Sequence, residues 1–240
     1  MPVVPKPAAT VILVRDAPHL EVFLQRRVAG MAFAGGMTVF PGGGVADDDR
    51  VATGWSGRRP SWFAERLRCD DELATAFVRA AVRETFEECG VLLAGPGPAP
   101  ASEREELVAR RRTLDEVLAA EGRTLDADEL HPWARWITPE VSPRRYDTAF
   151  FVAAVPPGQE ADARTTEAVE ATWWRPEDAL AGAERGELAL MTPTVTTLEE
   201  LAEHPDTASV LAAADARPIE PITPGVLQFG IRPSEIARQQ

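Results

Sequence analysis

The chain of 240 residues holds one tyrosine, one lysine, two cysteines and three histidines. Two cysteines, Cys69 and Cys89, cannot frame a disulfide scaffold or a zinc site of ordinary spacing, and they point to a reducing compartment. His19, His131 and His204 show no metal-ligand spacing. No apolar run reaches the roughly 18 residues needed to span a bilayer. Residues 1–14 are broken by Pro2, Pro5, Lys6 and Pro7 and closed by Arg15, too short and interrupted for a signal peptide. Positive charge is also scarce: 25 Lys and Arg against 38 Asp and Glu give a net charge of −13. That balance excludes a protein built to grip phosphate backbones or anionic membranes, since both need a clustered positive field. The expectation is a cytoplasmic protein with no nucleic-acid and no membrane partner. A local basic pocket for a small phosphorylated ligand stays allowed.

What is present is an ordinary globular composition, 45% hydrophobic and 26% charged, long enough for one large domain. AATVILVR (8–15) and LEVFLQRR (20–27) read as two paired strands around a turn at Asp16–His19. Val39 and Phe40 run into Pro41 and three glycines, Gly42, Gly43 and Gly44, so a strand ends there in a bare-backbone loop. From Leu73 to Phe86 apolar residues repeat at helical spacing, with Asp70 or Asp71 as N-cap and Gly90 as stop. A Pro/Gly linker at 95–100 leads to a charged helix near 102–121, where Glu106 and Arg110 stand at i, i+4. WARWITP (133–139) reads as a turn, RRYDTAFFVAAVP (144–156) as a buried strand and VEATWWRPEDAL (169–180) as a strand entering a helix at Pro176. Short helices follow at 192–203 and 207–214, then a Pro-rich tail. Strands before, between and after helices favour a mixed α/β sandwich.

The sharpest local feature is RETFEECGV (83–91). Glu84, Glu87 and Glu88 stand at i, i+3 and i+4, on one face of the last turns of a helix. Like charges at i, i+4 and anions near a helix C-terminus each cost a few tenths of a kcal/mol. A magnesium or manganese ion, which takes oxygen ligands, would remove both objections. The alternative is a solvated acidic face in which Arg83 pairs with Glu87. The second feature is the loop itself, whose glycine N–H groups could cradle an anion and which could equally be an ordinary turn.

Together these residues resemble the signature of the Nudix hydrolases, which cut a nucleoside diphosphate linked to another moiety. The second half of the Nudix box is present from Arg83 to Val91, with Thr85 where an apolar residue is usual. The first half departs from the pattern: Arg83 follows Gly43 by 40 positions where the box has 14, an excess of 26. Counting forward from Gly43 places Asp49 at the box glutamate, and counting back from Arg83 places Thr75 there. A split box, together with WITPEVSPRRYDTAFFVA (136–153), is similar to the branch that contains the mammalian peroxisomal acyl-coenzyme A diphosphatases. Gly36–Gly43 resembles the second half of a coenzyme A motif whose arginine is replaced by Ala32. The chain ends Ile236-Ala237-Arg238-Gln239-Gln240 without a Ser-Lys-Leu-type address, so peroxisomal targeting is not expected.

The resemblance implies an α/β fold: a Nudix-type α/β/α sandwich in a single domain (1–240), with an insertion at about 46–72 and a helical extension from about 176. It implies Mg2+ or Mn2+ on Glu84, Glu87 and Glu88, and Arg83 orienting those carboxylates. Glu167 and Glu170, ahead of Trp173 and Trp174, match the location of a further acid, as ligand or base, with Glu84 a rival for the base. Gly42, Gly43, Gly44, Arg26, Arg27 and Arg145 are the candidate substrate-binding residues. Trp55 and Trp62 are candidates for stacking on adenine or covering a pantetheine arm. The expected partner is a small nucleoside diphosphate derivative, and a homodimer is left open. The expected reaction is diphosphate hydrolysis, with coenzyme A or acyl-coenzyme A the preferred substrate, giving phosphopantetheine and adenosine bisphosphate. ADP-ribose, NADH and nucleotide sugars come next, and a non-catalytic nucleotide-binding regulator is the rival from another class.

Overall fold

Strand β1 (Lys6–Asp16) is the axis of the molecule, because its alternating side chains feed two cores. Val11 and Leu13 face one side and Ile12 and Val14 the other, all fully buried. A computed structural model gives the structure of residues 3–31, 34–51, 53–165, 167–225 and 229–231. Ala32 of the incomplete coenzyme A motif and the chain from 232 onward lie outside the described residues.

In chain order there follow β2 (Leu20–Arg27), β3 (Thr38–Val39), β4 (Gly42–Gly44), a 3-10 turn at Asp47–Arg50, β5 (Trp55–Ser56) and helices α1 (Pro60–Leu67) and α2 (Asp71–Cys89). Next come α3 (Ala101–Val108), α4 (Leu114–Ala120), β6 (Leu125–Asp126), β7 (His131–Ile137), β8 (Tyr146–Ala154) and β9 (Ala168–Trp174). The chain continues through α5 (Pro176–Glu184), β10 (Leu190–Met191), α6 (Thr192–Leu201), α7 (Thr207–Ala216), β11 (Pro221–Ile222) and β12 (Phe229–Ile231). An eight-stranded mixed sheet runs in the order β11-β7-β8-β1-β2-β3, with β4 paired to β1 and β9 to β2. β1 and β8 are parallel, whereas β1 is antiparallel to both β2 and β4.

On one face α2 supplies Phe77, Val78, Ala81 and Phe86 to the core beneath Val11 and Leu13. On the other, Val195 and Leu198 of α6 and Val210 of α7 cover Ile12 and Val14. Each such fully buried large side chain contributes about 1.5–3 kcal/mol, so both helical layers are held by packing. The expected α/β/α sandwich is therefore the fold. Helix α2 has the expected limits: the Asp70 carboxylate accepts from Leu73 N–H at 2.8 Å, and Gly90 closes it at φ 72°.

Three local expectations are corrected. The helix near 102–121 is two helices, because Arg110 adopts a left-handed conformation (φ 56°) and Thr113 starts a new capping box with Glu116. Glu106 consequently pairs with Arg111, at 2.7 and 2.9 Å, and not with Arg110. WARWITP is mostly strand β7, paired antiparallel with β8 across a bulge at Pro132–Ala134, a pairing that its flanking prolines conceal. Trp55 and Trp62 pack edge-on against Phe63, and the guanidiniums of Arg58 and Arg66 stand 4.4 and 5.4 Å from the centre of the Trp62 ring. Helix α1 is thus part of the core, with Phe63 and Leu67 fully buried. Both cysteines are free, and no helix among the described residues is long and apolar enough to cross a membrane.

Asp70→Ala removes the N-cap of the long helix while leaving its packed face intact. The expected outcome in urea unfolding is a loss of about 1 kcal/mol with the native far-UV spectrum retained. An unchanged midpoint would show that the cap is dispensable.

Candidate active site

Three consecutive glycines meet three side chains of α2. The N–H of Gly42 donates to Glu88 Oε2 at 2.8 Å. A Cβ on Gly43 would stand 2.5 Å from the Glu84 carboxyl, a separation only a bare Cα permits. The carbonyl of Gly44 accepts from Arg83 Nη2 at 2.8 Å. Gly42 must also be bare on its other side, where a Cβ would fall 2.3 Å from the carbonyl oxygen of Ala9 on β1. The segment is a short strand clamped between β1 and α2, and the Gly42 N–H is already engaged from within.

Arg83 gathers the remainder. Its Nε and Nη2 donate to Asp49 at 2.8–3.2 Å, and its Nη1 reaches Glu84 at 2.8 Å and Glu87 at 3.2 Å. Asp49 is 1% exposed and Arg83 3%. Burial works to lower the proton affinity of Arg83, but the hydrogen bond to Asp49 and the charges of Glu84 and Glu87 raise it further, so it stays a cation. Thr75, the other candidate for the split position, bonds its hydroxyl to the carbonyl of Asp71 within the helix. Counting forward from Gly43 therefore finds the partner of Arg83, and the excess residues lie between Asp49 and the middle of α2.

The carboxylates of half-buried Glu84 and buried Glu88 are poor anions as they stand. Burial pushes Glu84 up to about 7 against the opposing effect of Arg83, with the charge of Glu87 adding to the rise. Burial, then the charge of Glu84, pushes Glu88 up to about 8, while the Gly42 N–H, Gln25 and Arg27 act in the other direction. Gln25, which sequence reasoning passed over as one more residue of an alternating strand, donates to Glu88 Oε2 at 2.5 Å from a fully buried position. Glu88 Oε1 is buried with no hydrogen-bond partner.

The other expected residues divide. Arg27 lines a cavity of about 220 Å³ that begins at Gly42–Gly44 and extends past Thr10, Phe40, Trp136, Tyr146 and Phe150 to Met191. Its Nη2 stands 3.4 Å from Glu167, whose charge is felt at Glu84, and its Nε is buried without a partner. Arg26, opposite Glu170 in the β2–β9 ladder, pairs with it at 3.1 Å, and both side chains are largely in solvent. Arg145 is buried and bonded to the carbonyls of Thr138 and Val3. The structure thus brings Arg27, Glu167, Gly42–Gly44 and the helix acids together, and engages Arg26, Glu170 and Arg145 elsewhere.

A model of the NUDT19 Nudix domain matches residues 54–201. The chain belongs to the Nudix family. Nudix hydrolase 7 of Caenorhabditis elegans is 30% identical over 206 residues, covering 83% of this chain and 61% of that protein. The human acyl-coenzyme A diphosphatase NUDT19 is 34% identical over 148 residues, covering 53% of this chain and 39% of its own. The chicken protein of the same name is 28% identical over 248 residues, with 65% of its length covered. The chain thus spans less than two thirds of these curated relatives. A crystal structure of a Nudix hydrolase from Alicyclobacillus acidocaldarius superposes with a TM-score of 0.76 at 29% identity, over 91% of this chain and 99% of that one.

Among the described residues no three His, Cys, Asp or Glu side chains already form a cation-holding cluster, because Arg83 draws Glu84 and Glu87 to itself and Glu88 turns to Gln25. The chemistry of the donors does fit one: two carboxylates with raised proton affinity and a bare buried oxygen on Glu88 form a site short of positive charge.

Arg83→Met should cost about 3–5 kcal/mol in equilibrium unfolding, since it strands the buried Asp49 carboxylate; a loss below about 1 kcal/mol would contradict the ion pair. A second expectation concerns pH. Glu84 and Glu88 bind protons more tightly folded than unfolded, so their contribution to stability is complete below the ordinary Glu range of about 4.3 and declines as the pH climbs toward about 7 and about 8. The melting temperature of chelator-treated protein should therefore fall between about pH 5.5 and about pH 8.5, and added Mg2+ or Mn2+ should raise it most at the alkaline end. A melting temperature that rises across this interval, or ignores the cation, would overturn the assignment.

Proposed function

We propose that this chain is a divalent-cation-dependent pyrophosphohydrolase that acts on a nucleoside diphosphate derivative, with coenzyme A or an acyl-coenzyme A as the preferred substrate. The observation that carries the reading is the placing of Glu84 and Glu88 against the glycine strand, whose residues Gly42, Gly43 and Gly44 line a cavity together with Arg27. Glu84, Glu87 and Glu88 would hold Mg2+ or Mn2+. When bound, such a cation neutralises the diphosphate and lowers the pKa of water.

The chain's own residues supply the rest. Arg27, which lines the cavity, would offer its guanidinium to a phosphate oxygen. Water attacks phosphorus, the phosphorus–oxygen anhydride bond breaks, and the water proton passes to a carboxylate. Glu84 suits that role by position, since it faces Gly43 and is held by Arg83 at 2.8 Å. Arg83 holds it from behind, and Glu167, across Arg27, is the second acid near it. The aromatic walls of the cavity, Phe40, Trp136, Tyr146 and Phe150, suit the adenine or pantetheine portion. The acyl-coenzyme A preference is supported by the names of the human and chicken relatives.

Glu88→Gln is expected to lose more than about 100-fold in turnover with the fold retained, because it alters one carboxylate near the end of a helix whose apolar face is untouched. Mass spectrometry of products from free and acyl coenzyme A, with Mg2+ or Mn2+ and with chelator, should show cation-dependent phosphopantetheine species. If these are absent while ADP-ribose, NADH or a nucleotide sugar is cleaved, the substrate assignment is wrong and the chemistry stands. Near-normal turnover in Glu88→Gln would refute the site itself.

A further inference from the structure

Gln25 sits in the middle of the β2 surface that faces α2, 1% exposed, flanked on that strand by Phe23 and paired across the ladder with Ala171. An apolar side chain would fill this place without burying an amide. Instead Gln25 Nε2 donates to Glu88 Oε2 at 2.5 Å, and the Gly42 N–H donates to the same oxygen at 2.8 Å. Two donors converging on one carboxylate oxygen fix the orientation of the group. The other oxygen, Glu88 Oε1, is buried and bare, and so is Gln25 Oε1. Buried acceptors without partners are uncommon and call for an explanation. Two on hydrogen-bonded neighbours form the pattern that a hard cation satisfies.

We propose that Gln25 is a positioning residue for Glu88: it ties one carboxylate oxygen so that the other is presented to the divalent cation. The proposal rests on the reading of Glu88 as a metal ligand. Gln25 lies 63 residues from Glu88 in sequence and on strand β2, so the sheet and not the box supplies this support. It acts with Gly42 as the outer layer of the site, a role that in metal centres commonly governs affinity by about 10–100-fold.

The test measures Mn2+ binding to the chelator-treated full chain by electron paramagnetic resonance and calorimetry, so that no turnover is needed. Gln25→Met keeps the length and burial of the side chain and removes the donor. It should weaken Mn2+ binding about 10–100-fold with the circular dichroism spectrum and the unfolding transition retained. Gln25→Asn, which withdraws the amide by one methylene, serves as a second variant and should weaken binding in the same direction. In a Glu88→Gln background Gln25→Met should add little, because the two act through one contact. Wild-type affinity in Gln25→Met and Gln25→Asn, or an equal loss with and without Glu88→Gln, would overturn the role of Gln25 alone. Undiminished Mn2+ binding in Glu88→Gln would overturn the metal reading, and this proposal with it.

Discussion

One guanidinium organises the molecule's chemistry. Arg83 joins the 3-10 turn through Asp49, the glycine strand through the carbonyl of Gly44, and its own helix through Glu84 and Glu87. Only a planar fork with five donors can serve these directions at once; a lysine would supply a single point charge. The cost of burying so many charges is offset because each guanidinium nitrogen of Arg83 is hydrogen-bonded, at 2.8–3.2 Å. Arg83 thus aligns α2 relative to the sheet at the glycine strand, which Glu84 and Glu88 face.

That alignment depends on close backbone approach. β4 lies between β1 and α2; a side chain at Gly42 would strike the backbone of β1, and one at Gly43 would displace the Glu84 carboxyl. The residues inserted between Asp49 and α2 do not disturb this join, because they are bound down elsewhere. Arg66 donates to the carbonyls of Ala214, Asp215 and Arg217 at the end of α7, where a helix terminus leaves such groups free. Arg58 pairs with Asp215, and Phe63 and Leu67 enter the core over α2. The insertion is thus stitched to the C-terminal helix, and the acids sit on rigid elements.

The electrostatic state of the site follows from the same packing. Arg83 can satisfy only part of the negative charge drawn toward it, since Asp49 takes two of its donors. Glu88 is left to neutral donors, Gln25 and Gly42, and Arg27 acts on it from a greater distance. The result is a helix end with a deficit of positive charge against the glycine strand.

Much of this was legible from residues adjacent in the chain. The limits of α2 follow from its apolar repeat, from Asp70 and from Gly90, and the shared face of Glu84, Glu87 and Glu88 follows from helical geometry alone. The pairing of β1 with β2 and the entry of α5 at Pro176 are equally local. Strand β7 was hidden by its prolines, and the break at Arg110 by a charge pattern that a continuous helix satisfies equally well. The choice between Asp49 and Thr75, the parity that sends Arg27 to the acids and Arg26 to solvent, and the approach of Gln25 to Glu88 all depend on register and on contacts across tens of residues. Periodicity and capping are encoded within a turn or two of chain. Which distant groups share a buried charge is decided only when the two faces of the sheet are packed.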